Sequence, residues 1–93
     1  MSDPRPIHPG EILREDFLPE YGLSAGSLAA ALHVPRDRVE KIVRGKRAVT
    51  ADTAARLGRY FGTTPQFWLN LQANHDLALV DRKAIASIAR RAA

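Results

Sequence analysis

The stretch whose reading decides the fold is Leu28-Ala29-Ala30-Ala31-Leu32-His33-Val34-Pro35-Arg36-Asp37-Arg38-Val39-Glu40-Lys41-Ile42-Val43-Arg44-Gly45-Lys46-Arg47. Leu28, Ala29 and Leu32 recur at helical spacing, which gives a short helix one apolar side. His33-Val34-Pro35 interrupts it, because Pro35 disfavours helical geometry at Val34 and pre-sets the first turn of a new helix. From Arg36 to Arg44 the apolar positions are Val39, Ile42 and Val43, while Arg36, Asp37, Glu40, Lys41 and Arg44 spread across the other side. Gly45 can take the left-handed conformation that ends a helix. Two short helices joined by a tight turn, the second apolar inward and basic outward, are the makings of a helix-turn-helix.

The flanking sequence is also helical in pattern, with no strand-like alternation. Pro9 suits a first helical position and Glu11 favours the positive end of the helix dipole, so a first helix is predicted from Pro9 to Leu18. Ile12, Leu13 and Phe17 mark its buried side, and Pro19 with Gly22 closes it. Ser24 is the N-cap of helix two, Ala25 to Leu32. After the central pair, Thr50 caps a fourth helix that runs through Phe61, with Ala54, Leu57 and Phe61 on one face and Gly62 at its end. Gly58 costs about 1 kcal/mol against Ala inside a helix, which points to close backbone packing there. Thr64 and Pro65 open helix five, which extends to Leu77. Asp81 to Ala93 is alanine-rich and basic, suited to a short frayed helix or to none. The expected fold is all-α, a five-helix domain spanning 1–93 with no internal repeat and no dividing linker.

Composition narrows the function. The 93 residues are 45% hydrophobic and 26% charged, a globular balance rather than a disordered one. So short a chain buries a modest fraction of its surface, which favours a second subunit or a partner. The absence of cysteine excludes disulfides, thiolate metal sites and thiol catalysis. No apolar run approaches the roughly 18 residues of a membrane span. Met1-Ser2-Asp3-Pro4-Arg5-Pro6 lacks the layout of a signal peptide, so a cytoplasmic location and no membrane partner are expected. His8, His33 and His75 share no metal-ligand spacing, and neither a Ser–His–Asp arrangement nor a glycine-rich phosphate loop is present. Glu11, Glu15 and Asp16 are read as surface carboxylates on helix one. An enzyme is not expected, nor a cofactor or metal.

Charge distribution says more than the net value of +4. Residues 1–33 sum to −3, 34–47 to +4, 48–80 to zero and 81–93 to +3. The central excess comes from Arg36, Arg38, Lys41, Arg44, Lys46 and Arg47; Arg82, Lys83, Arg90 and Arg91 make the basic tail. A helix fits the major groove of DNA, and the arginine fork can bond O6 and N7 of guanine together, each such pairing discriminating by about 1–3 kcal/mol.

On these residues the chain resembles the helix-turn-helix of phage repressors, the Cro/C1 type. With His8-Pro9-Gly10-Glu11, Thr50-Ala51-Asp52-Thr53-Ala54 and Pro65-Gln66-Phe67-Trp68-Leu69-Asn70-Leu71-Gln72, it resembles more narrowly the HigA-type antitoxins, over about residues 7 to 80. The resemblance implies a dimeric antitoxin that sequesters a RelE-like ribosome-dependent mRNA endonuclease toxin and represses its own operon at a palindromic operator in double-stranded DNA. Carried over by position, the base-facing sites fall on Arg36, Asp37 and Lys41, with Arg38 nearby. Backbone-contact sites fall on Ser24, Arg44, Lys46 and Arg47. Asp37 either accepts from cytosine N4 or pairs with Arg38 or Lys41. Two positions depart from the repressor pattern. His33 replaces the usual turn glycine, and Pro35 replaces a Ser or Thr cap.

Helix five is apolar over a wide arc, and a homodimer through it is expected, with Phe67, Trp68 and Leu71 at the interface and Trp68 or Leu71 near its centre. Two other readings compete: a stand-alone repressor without a toxin, and a protein-interaction module that uses the fold as a scaffold.

Overall fold

The computed structural model describes residues 5–92. Met1 to Pro4, part of the stretch read as lacking a signal peptide, and Ala93 at the end of the basic tail lie outside the described residues. Those described form six helices and no strand. Helix α1 runs through Pro9–Ile12, a π-helical stretch Leu13–Phe17 and a closing turn Leu18–Glu20. It therefore passes the expected end at Leu18 and carries Pro19 inside it. The Leu18 N–H reaches back to the Leu13 carbonyl, which widens the turn just ahead of the proline ring and relieves the clash an α-helical register would impose.

Helix α2 is Ala25–Leu32, opened by a reciprocal cap in which Ser24 Oγ accepts the Ser27 N–H at 3.0 Å and Ser27 Oγ accepts the Ser24 N–H at 2.9 Å. It closes on His33 at φ 59°, so the histidine adopts the left-handed conformation that glycine usually supplies. Arg56 supports that turn by donating from Nη1 to the Leu32 carbonyl at 2.9 Å. Helix α3 is Arg36–Val43 and begins on Pro35 with no side-chain cap, as the sequence implied. Helix α4, Ala51–Phe61, starts on the Thr50 hydroxyl and ends at Gly62, φ 75°. Helix α5, Pro65–Ala78, starts on Thr64 and outlasts the expected Leu77 by one residue. A sixth helix, α6, is Arg82–Ala86, capped by Asp81, so the tail begins as a short helix and residues 87–92 follow it without regular structure.

The core gathers Leu13, Leu28, Leu32, Val39, Ile42, Val49 and Leu57 around Trp68. Each fully buried aliphatic side chain contributes about 1.5–3 kcal/mol. Helix α4 packs along α5, and Gly58 permits it: a Cβ there would stand 2.8 Å from the Thr63 carbonyl oxygen. Trp68 corrects one expectation. It is wholly buried in the chain's own core, its indole N–H donating to Thr63 Oγ1 at 2.8 Å, and so presents no surface to a second subunit. Phe67 is 38% exposed and Leu71 half-buried, one helical turn apart. Leu77, Leu79, Val80, Ile85 and Ile88 lie exposed beyond them.

Candidate nucleic-acid interface

Helices α2 and α3 pack through Leu28, Ala29, Val39 and Ile42, all buried, and this fixes which side of α3 remains outside. The outer side carries the predicted set. Arg36 is 74% exposed and donates from Nε to Glu40 Oε1 at 2.6 Å. Lys41 Nζ stands 3.1 Å from Asp37 Oδ2, so the carboxylate takes the lysine as its partner in the free chain. Arg44, Lys46 and Arg47 follow in an exposed run where α3 ends and the chain turns through Gly45. Ser24 lies at the N-terminus of α2 with its hydroxyl engaged in the cap.

Arg38 is the exception. It is 24% exposed and its Nη1 donates to Asp52 Oδ2 on α4 at 2.8 Å, which makes it a tie between α3 and α4. Arg56 reaches the same oxygen from Nε at 3.0 Å. Hydrogen bonds from Arg56 and Arg38 hold the Asp52 carboxyl below the ordinary carboxylate range.

Several residues that position this surface escaped the sequence reading. Arg14 on α1 donates from Nη1 to the Val43 carbonyl at 2.8 Å, placing a cation where the dipole of α3 is negative. Gln72, buried on α5, accepts the Val49 N–H at 2.8 Å and so anchors the loop after the basic run. His8 Nδ1 accepts the Gly10 N–H at 2.8 Å, and the ring sits beside Gly45 and edge-on to His75 at 5.0 Å between centroids. Burial, with the neighbouring His75, lowers the His8 pKa, against the opposing pull of a hydrogen bond to the Arg47 backbone and of Asp76. The Arg56–Asp52 spacing of four residues and the His8–Gly10 spacing of two are local. The partners of Arg14 and Gln72 are remote along the chain. His33 remains at its turn, and among the described residues no group of His, Asp or Glu is arranged to hold a metal. No helix of the described residues is long and apolar enough to cross a membrane.

Comparison with known proteins agrees with this geometry. Residues 13–68 match the helix-turn-helix family. The chain is 57% identical over 76 residues to virulence-associated protein I of Dichelobacter nodosus, covering 82% of this chain and 70% of that one. It is 40% identical over 73 residues to antitoxin HigA-1 of Vibrio cholerae, covering 78% and 69%. The solved structure of Pseudomonas aeruginosa antitoxin HigA with the higBA promoter superposes with a TM-score of 0.78 at 53% identity, over 89% of this chain and 86% of that one. The chain belongs to the helix-turn-helix family of Cro/C1 type, among the HigA-type antitoxins.

Proposed function

We propose that this chain is a cytoplasmic antitoxin that binds a palindromic operator as a homodimer, represses its own operon and neutralises a RelE-like mRNA endonuclease. The observation that carries the DNA-binding part is the outer side of α3. Arg36 and Lys41 stand exposed there, Arg44, Lys46 and Arg47 extend the cationic surface, and α2 braces the helix from behind. In this arrangement Arg36, Asp37 and Lys41 face base edges, and Ser24, Arg44, Lys46 and Arg47 meet phosphates. Arg38, held by Asp52, contributes to the docking of α3 rather than to base reading. The relative from Pseudomonas aeruginosa, solved with promoter DNA, supports the same reading.

For the homodimer, Phe67 and Leu71 on α5 are the proposed interface, now without Trp68, and the exposed Leu77, Leu79 and Val80 continue the apolar surface. The toxin rests on the likeness to HigA antitoxins.

Selection from a random duplex library at near-physiological salt tests the operator. A two-fold repeat with half-site centres about 10 bp apart is expected. Salt-sensitive binding with no enriched sequence would overturn it in favour of an interaction module. Co-expression with a RelE-like toxin should give a co-purifying, growth-permitting complex. Toxicity without a complex would leave a stand-alone repressor.

A further inference from the structure

Arg36 is paired along its own helix. Its Nε is bonded to Glu40 at 2.6 Å, one turn along α3, and its stem crosses α2 at Gly26. A Cβ built on Gly26 would lie 3.5 Å from Arg36 Nε and 3.6 Å from its Cδ and Cζ, so the guanidinium lies over a position that carries no side chain, and a residue larger than alanine there would meet it. The two terminal nitrogens make no hydrogen bond to the described residues. A guanidinium has two forked edges, one using Nε and one using both terminal nitrogens. Glu40 occupies the Nε side and leaves the terminal fork presented outward.

We infer that Glu40, by its hydrogen bond, and Gly26, by the room its missing side chain leaves, position the Arg36 fork in one orientation for a guanine in the major groove, so that sequence preference at that base depends on two residues that touch no DNA. The inference rests on the proposed reading of DNA by α3. The physical reason is entropic as well as geometric. A long arginine loses rotamer freedom when it binds, and a side chain already fixed loses less. The same pairing sets selectivity. With its Nε committed to Glu40, Arg36 matches paired acceptors such as guanine O6 and N7 better than a single phosphate oxygen, and the Glu40 carboxylate repels phosphates when the fit is wrong.

The test measures affinity of the full-length protein, at fixed salt, for its selected operator and for the same duplex with each G·C pair changed in turn to A·T. Arg36→Ala is expected to abolish discrimination at one G·C pair per half-site. Glu40→Met should reduce discrimination at that same pair about tenfold, within the range one bidentate contact supplies, while binding to unrelated duplex tightens. Glu40→Gln keeps the acceptor oxygen and should retain most of the preference. Gly26→Leu changes no charge, displaces the guanidinium from α2 and should also lose the preference, with helical content and melting unchanged as controls.

Equal tightening of operator and unrelated duplex by Glu40→Met, with discrimination intact, would overturn the inference and reduce Glu40 to a repelling charge. Full preference in Gly26→Leu would overturn the role of α2. If Arg36→Ala itself leaves every G·C preference in place, base reading by Arg36 fails, and the inference with it.

Discussion

Gly10 on α1 and Ile42 on α3 meet backbone to backbone: a Cβ on Gly10 would fall far inside van der Waals contact distance of the Ile42 carbonyl oxygen. The first helix is thereby seated on the last turn of α3, close to where Arg14 holds the Val43 carbonyl. Alanine normally favours a helix over glycine. Here the sign reverses, because neither backbone can yield without moving its helix. Gly10→Ala is expected to cost about 3 kcal/mol, at the upper end of typical overpacking. Thermal denaturation should show a fall in Tm of roughly 10–20 °C.

Trp68→Ala should behave as a core deletion and cost about 3–5 kcal/mol, because the ring is fully buried and its N–H is bonded. Leu71→Asp should instead keep the fold and yield a monomer. Sedimentation combined with chemical denaturation separates the two outcomes, and a folded dimer of Leu71→Asp would place the interface elsewhere.

Phosphate contacts leave a signature in salt dependence. Arg44→Ala, Lys46→Ala and Arg47→Ala should each lower the slope of log affinity against log salt by about 1 and weaken all sequences alike. Arg38→Ala should leave the slope nearly unchanged and lower stability, since its partner is Asp52. Titrations at several salt concentrations give both numbers.

His8 makes stability depend on pH near neutrality. Its pKa in the folded chain lies below the ordinary 6.5, through burial and His75, so folding favours the neutral ring that caps α1. The unfolded chain takes up the proton first. Stability is therefore complete above pH 6.5 and declines as pH falls from there through the folded value. His8→Asn retains an oxygen acceptor for the Gly10 N–H and does not titrate. Urea denaturation across this range should show a flatter profile for the variant, with His75 and Asp76 common to both proteins.

What the sequence determined by itself was local. Ser24, Thr50 and Thr64 announced helix starts through hydroxyl caps, Gly45 and Gly62 announced ends, and the alternation of Val39 and Ile42 with Arg36 and Lys41 distinguished the inner from the outer side of α3. These signals act over a turn or two of chain, which is why they can be read without knowing the fold.

Only the tertiary structure decided what each exposed-looking residue does. Arg38 was taken into an ion pair with a carboxylate 14 residues away, Arg14 closed the end of a helix 29 residues on, and Trp68 turned inward. Helix five is apolar over so wide an arc that periodicity cannot say which part meets the core, and α4 and the π-turn of α1 made that choice by bringing Phe61 and Phe17 against the indole. Whether a cation faces solvent, a carboxylate or a backbone carbonyl depends on which helix lies opposite, and that is a property of packing rather than of neighbouring sequence.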